Sequence, residues 1–173
     1  VITPNLDAMA REGLILPEAV STYPVCSPYR AMFMTGRYPH SNRVLSNCTN
    51  RWVDNNCELQ EADRCWSDVL SDQGYSLGYI GKWHLGTGPE HEPTGFDDWR
   101  VLPGQGLYHS PVMIDSAGQK VHVGYVTDLI TDMSLQWLKD RDKSKPFCMM
   151  VHHKAPHREW QPDAKHATMY ENE

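Results

Sequence analysis

No stretch of about 18 or more consecutive apolar residues occurs in this 173-residue chain, which excludes a membrane-spanning helix. Excess positive charge is also missing. Sixteen lysines and arginines stand against 22 aspartates and glutamates, a net charge of −6. A general nucleic-acid binder needs a basic face to displace phosphate counterions, so that class is excluded, while a local cationic pocket for one small anion is not. The five cysteines, at positions 26, 48, 57, 65 and 148, contain no Cys-x-x-Cys pair, and the histidines near 152 have no matched thiol pair. Both facts argue against a zinc site. Five cysteines are too few for a dense disulfide scaffold, and an odd count leaves at least one unpaired within the chain. With Cys26 set aside the other four can pair in three ways. Cys48, Cys57 and Cys65 are close enough for a local staple in an oxidising compartment, and reduced, partly buried thiols are the other reading. Internal repeats and low-complexity tracts are absent. The chain opens at Val1 with no initiator Met and no basic-then-apolar leader, and it ends at Glu173. The expectation is a piece of a longer protein.

What is present is an ordinary globular composition, 40% apolar and 22% charged, in a length that suits one domain. Residues 3–13 read as a short helix, with Thr3 as cap, Pro4 in the first turn and Gly13 at the end. Ser27-Pro28 repeats the start signal, and a second helix runs from Tyr29 to Thr35 until Gly36. Residues 38–60 read as a long loop. Trp66, Val69 and Leu70 share one face of a helix over 62–73. A short strand over 76–80 follows, then a hairpin of 112–114 with 121–123. Val126, Leu129, Ile130, Met133 and Trp137 recur at helical spacing, which predicts an amphipathic helix over 125–140. The apolar run from Pro146 to Val151 suits a buried strand. Helices alternating with short buried strands indicate an α/β layered fold.

Three stretches carry chemistry. Cys26-Ser27-Pro28-Tyr29-Arg30 puts a thiol immediately before a proline-started helix, where unpaired backbone N–H groups favour an anion. Arg30 lies one turn further on. The plainer reading is a small buried cysteine beside a surface arginine. Gly81-Lys82-Trp83-His84-Leu85-Gly86 leaves a strand with a fixed positive charge and a proton carrier two residues apart, on one face if the backbone stays extended. His152-His153-Lys154-Ala155-Pro156-His157-Arg158 leaves another strand at its carboxyl end, where open α/β sheets place their ligands. So many cationic or protonatable groups suit an anionic substrate whose leaving group needs a proton.

These stretches resemble the formylglycine-dependent sulfatases of the alkaline-phosphatase-like superfamily. Cys26 through Arg30 with Thr35-Gly36-Arg37-Tyr38-Pro39-His40 is similar to the first signature of that family, and Gly78 through Gly86 to the second. Lys145-Pro146-Phe147 running to Ala155-Pro156-His157 is similar to its third active-site strand. Thr3 through Asp7 and Gly95-Phe96-Asp97-Asp98-Trp99 resemble connecting segments. The likeness runs from Thr3 to Pro162 in the family's order.

The resemblance implies a sulfatase-like mixed sheet flanked by helices, with residues 1–173 forming part of a catalytic domain. It implies a sulfuric ester hydrolase acting on a sulfated carbohydrate or related ester, with Cys26 oxidised to formylglycine (3-oxoalanine) by a maturation enzyme. The hydrated aldehyde attacks sulfur through one hydroxyl and expels sulfate from the covalent intermediate through the other, so no external water is needed. A divalent cation, usually calcium, would assist. By the same resemblance Arg30 holds the diol, Lys82 binds sulfate and diol, and His84 takes the proton on elimination. His157 serves the departing alcohol, and Lys154 is a further sulfate contact. Work outside the cytoplasm, in a periplasmic, secreted or lysosome-like setting, is expected. No nucleic acid or membrane span is implied.

One departure from the pattern matters. The family's metal-holding Asp pair, upstream of the Thr3 segment, and its Asp-Asn or Asp-Gln pair, downstream of His157, are not in this sequence. Only Cys26, once modified, is left as a metal ligand. Asp97-Asp98 falls where the family has a structural turn and reads as ordinary surface carboxylate. The 173 residues alone are therefore expected to be nearly inactive and to leave sheet edges unpaired. Two alternatives remain at this point: a phosphonate or phosphate ester hydrolase of the same superfamily, and a non-catalytic relative that binds sulfated glycans. Tyr38, His40, Asn42, Arg43, His109 and Trp160, with the segment Asn50–Trp52, are candidates to contact a sugar.

Overall fold

The computed structural model describes residues 2–48, 58–86 and 92–171. Among these, ten elements follow in chain order: α1 (Pro4–Glu12), α2 (Cys26–Thr35), α3 (Pro39–Asn42), α4 (Trp66–Asp72), β1 (Ser76–Lys82), β2 (Asp98–Leu102), β3 (Val112–Asp115), β4 (Gly118–Val121), α5 (Val126–Asp140) and β5 (Phe147–His152). The strands form one mixed sheet in the order β4-β3-β2-β1-β5. Strand β1 pairs in parallel with both β2 and β5, Ile80 lying beside Arg100 on one side and Val151 on the other. Strands β3 and β4 complete the sheet as an antiparallel hairpin. No helix among the described residues is long and apolar enough to cross a membrane.

Six of the seven residues of β1 are buried, as expected for a central strand with both faces covered. Its odd and even positions enter different cores. Leu77 and Tyr79 join Ala31 and Met34 of α2, with Trp66 and Leu70 of α4 packed against them. Ile80 joins Val126, Ile130 and Trp137 of α5. The helices thus sit on both faces, as an α/β sheet requires. Trp137 packs so closely on Gly78 that a Cβ there would stand 2.6 Å from the indole. Strands β4 and β5 are the sheet edges; Phe147 and Val151 of β5 are 42% and 40% exposed. Helix α1 buries none of its residues.

The sequence reading differs from this fold in several places. The second strand of the hairpin, expected over 121–123, is β4 at Gly118–Val121. Helix α2 begins at Cys26, not at Tyr29, so the thiol is the first helical residue and Val25 is the cap. The helix expected over 62–73 is confined to α4. The Gly95–Trp99 turn continues directly into β2, whose apolar residues Trp99, Val101 and Leu102 are buried. The expected long loop contains α3, which begins with Pro39. Positions 49–57, with Asn50, Arg51, Trp52 and Cys57, lie outside the described residues.

Candidate active site

The carboxyl ends of the three parallel strands converge beside the start of α2. Strand β1 delivers Lys82, β5 leads into Lys154 and His157, and the turn after β2 brings in Gln105. Two contacts lock α2 to this rim. Ser27 Oγ, fully buried, donates to the His84 carbonyl oxygen at 2.6 Å and accepts from the Cys48 amide at 3.2 Å. The Ser27 amide donates to Asn47 Oδ1 at 3.1 Å. Val25 has no side-chain oxygen to cap the helix, so a loop asparagine serves one of its first N–H groups. The partial positive charge of the helix start is directed at the position of the residue 26 side chain.

Lys82 Nζ lies 3.6 Å from Cys26 Sγ and 2.5 Å from Gln105 Oε1. The lysine is only 3% exposed. Burial holds it below the ordinary lysine value; Cys26 acts the other way, and the Arg30 guanidinium and Lys154 add to the depression. Lys154, also buried, donates to the Gln105 carbonyl oxygen at 3.2 Å and stands 4.6 Å from the Tyr108 ring centre. Its pKa too is lowered by burial, against the pull of Glu159. Cys26, Lys154 and His157 line one cavity of about 610 Å³, whose wall also includes Asn47, Gln105, Tyr108, Arg158, Glu159 and Gln161. Cys26 lines a second, more apolar cavity of about 370 Å³ with Arg30 and His152.

Arg30 is engaged at the end of β1. Its Nη1 donates to the Lys82 carbonyl oxygen at 2.5 Å and lies 2.8 Å from His152 Nδ1 and 3.4 Å from the Tyr79 hydroxyl. The Tyr79 hydroxyl is 2.7 Å from the same carbonyl and 2.6 Å from His152 Nδ1. Burial first, and then Arg30, push His152 down to about 4.

His84 departs from simple alternation. Its φ of +59° is left-handed, so Lys82 and His84 do not share a face of one extended strand; a turn places the ring instead. The residue is 2% exposed, and both ring nitrogens are buried without a hydrogen-bond partner among the described residues. Burial, then the charges of Lys82, Arg30 and His157, push it down to about 4. His157 Nδ1 contacts the Arg158 carbonyl oxygen. A carbonyl only accepts, so Nδ1 carries the proton and Nε2 is the end left for a substrate.

Other candidates have different employment. Asn42 is fully buried and holds its own turn, donating to the Arg37 carbonyl oxygen and accepting from the Val44 amide. Arg37 and Arg43 pair with buried Asp63. His109 packs on Tyr125 and Tyr38 on His40. Asp97 accepts from the Leu77 amide, and Asp98 pairs with Arg100. Sequence reasoning passed over Tyr79, His152 and Gln105. For Gln105 a usable signal existed, the turn tetrapeptide Pro103-Gly104-Gln105-Gly106.

A family model described as Sulfatase matches residues 1–173. An N-acetylglucosamine-6-O-sulfatase of Bacteroides thetaiotaomicron is 38% identical over 173 residues, 98% of this chain and 29% of that protein. The N-acetylgalactosamine-6-sulfatase of Homo sapiens is 29% identical over 196 residues, 97% of this chain and 35% of that protein. A solved structure of a protein in complex with its substrate D-glucosamine-2-N,6-O-disulfate is similar with a TM-score of 0.86 and 38% identity, over 98% of this chain and 33% of that one. The chain spans about a third of the length of the curated relatives it matches.

Proposed function

The chain belongs to the sulfatase family, and from that premise we propose that the protein containing it hydrolyses sulfate esters of a carbohydrate, with residue 26 as the nucleophile's position. The observation that carries this reading is the placement of Cys26 at the start of α2, in the wall of the larger cavity with Lys154 and His157 and 3.6 Å from Lys82 Nζ. The Lys82 ammonium 3.6 Å from Cys26 Sγ fits a hydroxyl-bearing residue at position 26, a stronger hydrogen-bonding partner than a thiol. Converted to formylglycine, the residue supplies a hydrated aldehyde whose hydroxyl is the nucleophile toward sulfur.

The chain's own groups then have separable tasks. Lys82 and Lys154 hold the sulfate oxygens and offset the charge that builds on them. Arg30, engaged with the Lys82 carbonyl, fixes the end of β1 and adds to the positive field. His84, neutral over the physiological range, accepts a proton. His157, anchored through Nδ1–H, in its doubly protonated form presents Nε2–H to the departing alcohol oxygen and gives up that proton. The described residues do not by themselves make a calcium site: they hold no group of three or more His, Cys, Asp or Glu side chains able to bind a metal. No step above depends on a metal.

The names of the relatives direct the choice of substrate to a sulfated amino sugar, and a cavity of about 610 Å³ accommodates a sugar unit. The test uses the full-length protein produced with a formylglycine-generating enzyme. Mass spectrometry of the Cys26 peptide is expected to show the aldehyde, and inorganic sulfate is expected to be released from 6-O-sulfated N-acetylglucosamine. Conversion of Cys26 with turnover of aryl phosphates alone, and of no sulfate ester, overturns the proposal in favour of a phosphoester hydrolase.

A further inference from the structure

A single neutral residue in the wall of the larger cavity, Gln105, holds two ammonium groups, that of Lys154 in the same wall and that of Lys82 buried beside Cys26. Lys82 Nζ donates to the side-chain Oε1 of Gln105 at 2.5 Å, and Lys154 Nζ donates to the main-chain oxygen of the same residue at 3.2 Å. The lysines come from different strands, at the end of β1 and just beyond β5. They are 3% and 7% exposed, and they repel one another. Without a shared acceptor, two like charges at this depth would splay apart or give up protons.

We propose that Gln105 is a positioning residue, a clamp that sets the spacing of Lys82 and Lys154 so that both ammonium groups engage one tetrahedral anion beside residue 26. The chemistry explains why an amide stands there. A carboxylate would accept from Lys82 at least as well, but it would cancel one of the two charges and repel an incoming sulfate. A neutral acceptor orients the ammonium and leaves its charge for the ligand. The backbone is built for this. Gly104 and Gly106 bracket Gln105 with φ of +54° and +67°, the Gly106 amide closes the turn on the Pro103 oxygen at 3.0 Å, and a Cβ at Gly106 would stand 2.8 Å from Leu102 Cδ1. The turn therefore fixes the main-chain oxygen for Lys154 and the side-chain direction for Lys82 together.

The inference rests on the sulfatase reading for the identity of the anion, so the experiment has one arm that needs no turnover. In the full-length protein, binding of inorganic sulfate is measured by calorimetry, and kcat and KM are measured separately with 6-O-sulfated N-acetylglucosamine. Gln105→Glu is expected to weaken sulfate binding and raise KM by about 10- to 100-fold, the scale of a hydrogen bond to a charged group. Gln105→Leu frees Lys82 but leaves the main-chain contact to Lys154, so kcat is expected to fall by about 10-fold or more while KM changes less. A purely structural role predicts instead a mild Glu variant, because Glu keeps the side chain's length and its acceptor. If Gln105→Leu fails to fold, Gln105→Glu carries the comparison, since it retains length and acceptor. Wild-type affinity and kinetics in Gln105→Glu overturn the clamp, as does a wild-type protein that binds no sulfate. Sulfate binding that Gln105→Glu abolishes, in a protein that turns over no sulfate ester, upholds the clamp and removes the sulfatase reading alone.

Discussion

The ammonium of Lys82 stands 3.6 Å from the sulfur of Cys26, although the two residues come from different elements and are separated by 56 positions in the chain. Each is the terminal residue of its element. Cys26 opens α2 and Lys82 closes β1, so the pair marks the point where a helix start meets a strand end.

That contact predicts the effect of removing the charge. In the full-length, formylglycine-bearing protein, Lys82→Met is expected to lower kcat for sulfate release by roughly 10²–10³-fold, the usual cost of deleting one donor to a developing oxyanion. Steady-state assays of released sulfate check it. Activity within a few-fold of wild type removes Lys82 from the chemistry.

The anchored ring of His157 makes a prediction about leaving groups. An alcohol of high pKa needs a proton as it departs, whereas a nitrophenolate does not. His157→Ala is therefore expected to lose roughly 10²–10⁴-fold on a sugar sulfate and far less on nitrophenyl sulfate. Equal losses on both substrates would assign His157 to binding instead.

Acid sensitivity follows from two buried rings. His84 and His152 are each depressed to about 4 from the ordinary 6.5, so the unfolded chain binds more protons than the folded one between these values. Their contribution is complete above about pH 6.5 and is lost as pH falls toward 4, at about 1.4 kcal/mol per pH unit for each ring. Urea unfolding of the full-length protein between pH 7.5 and 4.5 checks the slope. His152→Gln is expected to reduce it; an unchanged slope shows that His152 protonates without hindrance in the folded state.

Gly81 is the most constrained position in β1. Its φ is +115°, and a Cβ there would lie 2.0 Å from the His152 carbonyl oxygen. Gly81→Ala must separate β1 from β5 just where both strands deliver site residues. A loss above about 2 kcal/mol is expected, beyond the positive-φ penalty alone, measured by denaturant unfolding. A wild-type midpoint would mean that the strand ends move apart at no cost.

Much of this architecture was legible in the order of residues. Apolar spacing located α5, the run from Phe147 gave β5, and Ser76 to Ile80 gave most of β1, because these elements are specified by contacts within a few residues. Strand β2 was passed over because Gly95-Phe96-Asp97 reads as a turn and only five residues follow before Pro103. Helix α2 starts three residues before Tyr29, where the Ser27-Pro28 signal puts it, because Val25, with no capping oxygen, carries no local start signal. Arg43 and Asn42, candidates to contact a sugar, are also engaged in their own loop, Asn42 with the Arg37 carbonyl oxygen and Arg43 with Asp63, 20 positions away.

The sequence by itself determined the chemical inventory: a thiol at a helix start, a lysine and a histidine after one strand, and a cluster of cations after another. Tertiary structure decided which of these meet. Arg30 reaches the Lys82 carbonyl and His152, a partner 122 positions away, and Lys82 is steadied by Gln105 from a neighbouring strand's turn. The reason is physical. Helix and strand preferences are settled over a few residues, whereas the neighbours of a buried charge are settled by the order of strands in the sheet, which places the ends of β1, β2 and β5 side by side.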